Sequence, residues 1–126
     1  MIVGMGIDII EVERLRRDLA KKHGMVEEIF TTKEIAYCRK KRYPAQHFAA
    51  RFCAKEALFK ALGSGKRGKM SWREVETIND ANGSPAIRLR GATKERAKKL
   101  NVDKIHVSLS HTRQMAAVCV ILETID

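Results

Sequence analysis

The longest helical pattern in this 126-residue chain covers about residues 46–62. Pro44 stands just before it, where proline is tolerated in the first turn of a helix, and Gly63 follows it, where helices commonly end. Its apolar positions recur at helical spacing at Phe48, Phe52, Phe59 and Leu62. We therefore expect one long helix against which the other elements pack.

Apolar periodicity and turn residues predict five strands and three shorter helices in the rest of the chain. The strands are expected at about residues 2–10, 72–78, 86–90, 105–110 and 115–122, and the helices at about 13–23, 31–41 and 93–100. Strand 2–10 is expected to be largely buried, and strand 115–122 to be central and to form a hairpin with the strand before it. Thr31 and Glu34 have the spacing of a capping box. This order predicts an α+β fold in a single domain, residues 1–126, with a small antiparallel sheet packed against the long helix.

Composition excludes several classes of protein. With 44% hydrophobic and 32% charged residues and two prolines, the chain is neither disordered nor collagen-like. No apolar run reaches the roughly 18 residues of a membrane span, and the N-terminus lacks a signal-peptide pattern. Three scattered cysteines lack metal-ligand spacing. We therefore expect a reduced, cytoplasmic protein with no membrane partner.

The net charge of +10 is concentrated in one third of the sequence. Residues 33–73 contain 12 basic and two acidic residues, whereas the remainder carries 13 of each sign. Such a field attracts polyanions: nucleic acid, phosphorylated small molecules or an acidic protein. The alternative is a solvated basic face that only keeps the protein in solution.

Asp8 is the only carboxylate within the first apolar segment. Burying it without a partner would be costly. It either caps a neighbouring helix or pairs with an arginine, or it belongs to a site at the end of the strand, just before the first helix.

Glu56 and Lys60 are four residues apart on the long helix and therefore lie on one face, with Phe52 one turn earlier. One interpretation is an ordinary ion pair between positions i and i+4. The other is a functional site in which Glu56 holds a hard cation and Lys60 faces a phosphate. Magnesium suits that division, since it takes one or two protein carboxylates together with water and phosphate oxygens.

His111 ends a strand whose polar face also carries Ser108 and Ser110. No G-x-S-x-G elbow surrounds it, so we exclude a serine hydrolase and leave open a turn histidine. The glycine-rich segment 63–68 lacks the P-loop spacing but has backbone N–H groups that could approach a phosphate.

Three motifs together resemble the holo-acyl-carrier-protein synthase family, the short bacterial type of 4′-phosphopantetheinyl transferase. The first is Gly6-Ile7-Asp8 with Arg14 six residues later. The second and most specific is Phe52-x-x-Lys55-Glu56-Ala57-x-x-Lys60-Ala61-x-Gly63. The third is Val107-Ser108-Leu109-Ser110-His111, and the likeness extends from Met1 to about Glu123.

The resemblance implies transfer of 4′-phosphopantetheine from coenzyme A to a serine of apo-acyl carrier protein, with release of adenosine 3′,5′-bisphosphate. Asp8 and Glu56 would hold Mg²⁺, or Mn²⁺, and Lys60 would neutralise a phosphate. Glu56, directly or through a bound water, would take the serine proton. By the same resemblance, coenzyme A would be bound by Lys60, Gly63, Ser64, Gly65, Lys66, Arg51, Pro85 and His111, with Asn82 and Gly83 nearby.

The resemblance also implies partners. Acyl carrier proteins are strongly acidic, and basic residues of the first helix would dock them: Arg14, Arg17, Lys21 and Lys22. The short class is similar to half of the longer transferases, which places the site between subunits of a homotrimer.

Two rival functions remain open. The pI near 9.9 is typical of a small nucleic-acid-binding protein, although no RNP-like motif or basic-aromatic strip is present, so we expect no nucleic-acid partner. The second rival is a non-catalytic module that only binds the carrier protein.

Overall fold

The computed structural model describes residues 1–63, 65–66 and 68–125. The strands are β1 (Ile2–Glu11), β2 (Val75–Asn79), β3 (Pro85–Leu89), β4 (Lys104–His111) and β5 (Met115–Glu123). The helices are α1 (Val12–Lys21), α2 (Met25–Ile29), α3 (Thr32–Arg39), α4 (Pro44–Ala61) and α5 (Gly91–Lys99), and a 3₁₀ helix spans Trp72–Glu74. The predicted α+β class is confirmed.

The strands form two antiparallel sheets. One has the order β1-β5-β4, and the other is the hairpin of β2 and β3. The prediction that the strand around residues 115–122 is central and forms a hairpin with its predecessor is confirmed, because β5 pairs with both β1 and β4. Its nearly continuous apolar sequence follows from this position, since its alternate residues Ala116, Val118, Val120 and Leu122 are fully buried.

Helix α4 lies directly on β1 because two glycines allow a close approach. A Cβ atom at Gly4 would overlap the carbonyl oxygen of Ala61, and one at Gly6 would overlap that of Ala57. Side chains on a strand alternate between its faces, so Asp8 projects toward the same side as these glycines. The glycines of the first motif therefore bring the carboxylate of Asp8 to the long helix.

The sequence predicted the helical region well apart from one element. Helix α3 begins with the predicted capping box: the Thr31 side chain accepts a hydrogen bond from the Glu34 amide, and the Glu34 carboxylate accepts one from the Thr31 amide. Helix α4 begins at Pro44, two residues before the predicted start. Helix α2 was not predicted, because its five residues are too few to show a periodic pattern.

Two predictions about strands were wrong. The segment 72–78 begins with the 3₁₀ helix, and the strand starts only at Val75. Strand β1 is not largely buried in the single chain, since Met5, Ile7 and Ile9 are 62%, 68% and 64% exposed. An apolar run in the sequence does not show whether a strand is covered on both faces or leaves one apolar face exposed to solvent.

A buried ionic network holds the helices to the hairpin sheet. The Lys55 ammonium, which is fully buried, donates hydrogen bonds to Glu34 Oε1 at 2.7 Å, to the Trp72 carbonyl at 3.0 Å and to the Val75 carbonyl. Glu34 also accepts from the Thr77 amide at 3.0 Å. Lys55 thus links α4 to α3, the 3₁₀ helix and β2. None of the described helices has the length and apolar character needed to cross a bilayer.

Candidate active site

Asp8, Glu56 and Lys60 line one cavity of about 670 Å³, which we call the large cavity. Asp8 comes from β1, whereas Glu56 and Lys60 come from consecutive turns of α4. Phe52 lines the same cavity one turn before Glu56, as the helical spacing predicted. The first and second motifs therefore meet in space.

The positions of the charged side chains show which carboxylate Lys60 pairs with. The Lys60 ammonium lies 2.9 Å from Asp8 Oδ1 and also donates to the Ile7 carbonyl at 3.1 Å. Among the described residues, Lys60 and Glu56 are not within ion-pair distance of each other. The simple helical pair considered above is thus replaced by a pair between the helix and the strand, and the Asp8 hydrogen bond raises the pKa of Lys60.

Glu56 is left without a cation of its own in the described chain. Burial raises the pKa of its carboxyl, and the neighbouring charge of Asp8 raises it further, although Lys60 opposes both. Two carboxylates that repel each other beside solvent-accessible space favour a bound cation. In the described part of the chain no group of three His, Cys, Asp or Glu residues could hold a metal, so any metal here would take Asp8 and Glu56, from β1 and α4, as its carboxylate ligands. That set matches Mg²⁺, which needs only one or two from the protein.

Cys53 is a neighbour of Asp8 that sequence analysis did not assign to the site. Its thiol is fully buried and lies 3.8 Å from the Ala116 carbonyl oxygen, to which it donates. Burial, with a contribution from Asp8, raises the pKa of Cys53 to about 12. The thiol therefore stays protonated at physiological pH and acts as a packed, neutral side chain beneath Asp8.

The apolar wall of the large cavity was also missed. Trp72, the only tryptophan of the chain, packs against Phe52 with ring centroids 5.0 Å apart and against Phe59 at 5.5 Å. Leu15, Leu19, Met25 and Ile29 add further apolar lining. A lone tryptophan after a glycine-rich loop was an available signal, but its assignment to a strand concealed it.

The glycine-rich segment follows α4 directly. Gly63 has a φ of +82°, the left-handed conformation with which helices commonly end, and Gly65 has a φ of +65°. Lys66 Nζ lies 5.7 Å from the centroid of the Trp72 ring, beside the large cavity. Ser64, also predicted to bind coenzyme A, lies outside the described residues.

The other residues predicted to bind coenzyme A lie together elsewhere. Arg51, Pro85 and His111 line a small cavity of about 110 Å³ with Gly83, and this small cavity shares no lining residue with the large one. Asn82 is exposed on the neighbouring turn. The predicted set is thus split into two groups within one chain.

Two interactions organise the small cavity. The Arg51 guanidinium lies 3.8 Å from the centroid of the Tyr37 ring and donates to Asn79 Oδ1 at 3.3 Å. Its Nε is buried and has no hydrogen-bond partner among the described residues. His111 Nδ1 lies 3.1 Å from Gln46 Oε1, and its ring meets that of His47 edge to face at 4.9 Å.

The four residues predicted to dock the carrier protein differ in their surroundings. Arg14 lines the large cavity. Lys21 lies 3.7 Å from Asp18 and Lys22 lies 3.6 Å from Glu28, so both are in exposed ion pairs within the chain. Arg17 is exposed on α1.

Comparison with known proteins agrees with this geometry. The ACPS family model, described as the 4′-phosphopantetheinyl transferase superfamily, matches residues 4–119. A holo-[acyl-carrier-protein] synthase of Geotalea daltonii is 42% identical over 124 residues, which are 98% of this chain and 99% of that protein.

Solved structures agree as well. The holo-[acyl-carrier-protein] synthase of Neisseria meningitidis has a TM-score of 0.89 at 30% identity, covering 98% of this chain and 100% of that one. That of Bacillus anthracis, in complex with CoA (3′,5′-ADP), has a TM-score of 0.81 at 33% identity, covering 98% of each chain. Because the match spans nearly the whole chain and includes the three motifs, this protein belongs to the 4′-phosphopantetheinyl transferase superfamily.

Proposed function

We propose that this protein transfers the 4′-phosphopantetheine group of coenzyme A to a serine hydroxyl of apo-acyl carrier protein, as a step of fatty acid biosynthesis. The observation that carries the proposal is the meeting of Asp8, Glu56 and Lys60 in one cavity. The name of the 42% identical relative supports the same activity. A nucleic-acid-binding function has no comparable support.

In this reaction the serine oxygen bonds to the phosphorus that carries the pantetheine arm. The bond from that phosphorus to the bridging oxygen breaks, and adenosine 3′,5′-bisphosphate leaves with this oxygen. Positioning and charge neutralisation contribute most of the catalysis in such transfers. We assign Lys60 to the charge on the leaving group. Glu56 is assigned to accept the serine proton, directly or through a bound water, because its carboxylate lines the cavity that the serine would enter.

Asp8 and Glu56 are proposed to hold Mg²⁺, with Mn²⁺ as an alternative. The Lys60 ammonium already lies against Asp8, which supports a preference for positive charge at this point. When bound, the ion would supply neutralisation of the charge that builds on the pyrophosphate oxygens. Asp8 and Glu56 would in turn be relieved of their mutual repulsion.

The small cavity is proposed to take the adenosine-phosphate end of coenzyme A. The unpartnered Nε of Arg51 supports an anionic ligand there, since a buried donor without an acceptor is costly. The large and small cavities have no lining residue in common. We therefore assign one coenzyme A to the large cavity of one copy and the small cavity of another.

A homotrimer is proposed on the same grounds. The outer face of β1 exposes Met5, Ile7 and Ile9, and it continues onto the half-buried Ala117 and Ile121 of β5. A second copy of the chain would cover this apolar face.

The carrier protein is proposed to approach over α1. Arg14 lies in the large cavity beside Leu15 and Leu19, so the groove combines a cation with apolar surface. An acidic partner would contact this edge while its serine enters toward Glu56.

The proposal is tested with apo-carrier protein, coenzyme A and Mg²⁺, read as the gain in intact mass of the carrier. We expect Glu56→Ala to lower the transfer rate by about 10²–10⁴-fold while the variant still binds the carrier. Glu95→Ala, which removes an exposed carboxylate from α5, is the matched control, and EDTA should stop the reaction of the unmodified protein. Transfer by Glu56→Ala at the rate of the control would remove Glu56 from the mechanism.

A further inference from the structure

A second group of cations lies next to the large cavity, in a recess of about 430 Å³ lined by Lys33, Arg73 and Arg90. We call these three residues and the space between them the basic recess. The 3₁₀ helix separates the two spaces: its Trp72 lines the large cavity, and the next residue, Arg73, lines the recess. On the α2–α3 side, Ile29 lines the large cavity and Thr31 the recess.

The positive charge of the recess is largely uncompensated. Its one lining carboxylate, Glu76, is 1% exposed and already accepts from Thr31 Oγ1 at 2.6 Å and from Arg90 at 3.2 Å. Within the described part of the chain, neither Lys33 nor Arg73 has a carboxylate within 4 Å. Exposed cations without partners on the protein are available to an external anion.

Two cations of the basic segment 33–73 line the recess. Residues 33–73 carry the whole net charge of +10, and the two ends of this segment, Lys33 and Arg73, meet here. Helix α1 and its C-cap differ, because three of their cations are in exposed ion pairs with acidic residues of the chain. The pairs are Arg16 with Glu13, Lys21 with Asp18, and Lys22 with Glu28. The field that attracts an acidic partner is therefore not confined to α1.

We propose that the basic recess is a second docking contact for the acyl carrier protein, taking an acidic segment of that partner while its serine enters the large cavity. The inference rests on the proposed function, which brings an acidic protein to this side of the molecule. Arg90 is half exposed, and the three cations come from three separate parts of the chain, α3, the 3₁₀ helix and the connection between β3 and α5, which suits a broad acidic surface. The phosphates of coenzyme A are assigned to the large and small cavities.

The test compares two double variants that remove the same charge, one in the recess and one elsewhere. A third double variant reverses the charge of the recess. Lys33→Gln with Arg73→Gln removes the two lining cations that have no carboxylate within 4 Å in the described chain, and Lys33→Glu with Arg73→Glu reverses their charge. The matched control is Arg88→Gln with Lys94→Gln, which removes two exposed cations from a different recess between β3 and α5. Carrier affinity is measured by biolayer interferometry without coenzyme A, and KM for each substrate by intact-mass kinetics.

We expect the Lys33/Arg73 glutamine pair to weaken carrier binding and to raise KM for the carrier by about three- to tenfold at low salt. Its kcat and KM for coenzyme A should stay within twofold of the control pair. Charge reversal should weaken binding further, and added salt should reduce the difference between the pairs.

Equal carrier affinity in the recess and control pairs would overturn the inference, as would a rise in KM for coenzyme A in place of the carrier. These results are distinct from failure of the proposed function. If the unmodified protein binds the carrier but transfers nothing to it, the proposed function fails and the binding comparison still decides the role of the recess. If the unmodified protein does not bind the carrier, the recess is not a carrier contact.

Discussion

Lys60 shows how far a single residue can be interpreted from spacing. Its distance of four residues from Glu56 correctly predicted that both side chains lie on one face of a helix. Spacing alone favoured an ion pair between them, but the ammonium lies on Asp8, 52 residues away, and Glu56 has no ion-pair partner among the residues that the structure describes. Local geometry determines which face a residue occupies, whereas its partner depends on what packs against that face.

His47 provides a pH-dependent test at the residue scale. Burial lowers its pKa, and the neighbouring His111, Lys41 and Arg51 lower it further. Because the folded pKa is below the unfolded one, the unfolded chain binds the proton more tightly, so the fold loses stability as pH falls below about 6.5. We expect His47→Gln to make this loss smaller between pH 7 and pH 5. Urea unfolding at each pH measures it.

The exposed His23 provides the control for this prediction. His23→Gln should leave the acid-dependent loss unchanged, because its ring is in solvent in both states. If the free energy of unfolding changes with pH to the same extent in the unmodified protein and in His47→Gln, the assignment of the acid sensitivity to His47 is contradicted.

At the scale of elements, α4 contributes to four parts of the structure at once. Ala57 and Ala61 meet the glycines of β1, Glu56 faces the large cavity, Arg51 faces the small cavity, and Lys55 enters the buried ionic network. The sequence predicted this helix and the placement of Glu56 and Lys60 on one face of it. It did not reveal that the lysine next to Glu56 is fully buried, because a lysine in a helix is usually exposed.

Lys55→Met tests the network. The substitution leaves the Glu34 carboxylate buried without its cation, which typically costs 3–5 kcal/mol in other proteins, so we expect a loss of about 3–5 kcal/mol in the free energy of unfolding. Adding Glu34→Gln removes that buried charge, so the double variant should be more stable than Lys55→Met alone. Lys40→Met, at an exposed position, should change stability by less than about 0.5 kcal/mol. Denaturant unfolding measures all three.

Two outcomes would count against this network. A Lys55→Met variant as stable as Lys40→Met would show that the ammonium does not hold the elements together. A double variant that is less stable than the single one would show that the hydrogen bonds from the Thr31 and Thr77 amides to Glu34 outweigh the cost of its buried charge.

At the scale of the whole molecule, the single chain leaves two features incomplete. The predicted coenzyme A residues are divided between two cavities, and the outer face of β1 is apolar and open. A second copy that packs on this face would account for both. The expectation that β1 is buried failed for one chain, and its apolar sequence is explained if the partner surface belongs to another copy.

Ile7→Lys tests the assembly, because this side chain is 68% exposed in the single chain and lies at the centre of the apolar face. A buried lysine without a partner is costly, so we expect the proposed trimer to dissociate and transfer to be lost with it. Light scattering coupled to size exclusion measures the mass. Ala36→Lys, at an exposed position on α3, should remain trimeric. A monomeric unmodified protein, or a monomeric variant that keeps full activity, would contradict the shared site.

The sequence by itself determined the elements whose signals are local. Pro44 and Gly63 limit the long helix, Thr31 and Glu34 cap α3, and the helical repeat aligns Glu56 with Lys60, because each depends on residues only a few positions apart. The tertiary structure alone decided that Lys60 pairs with Asp8, that Trp72 forms a wall of the site and that Arg51 lies in a separate cavity. Those arrangements join residues far apart in the chain, and the close packing of α4 on the glycines of β1 sets their distances.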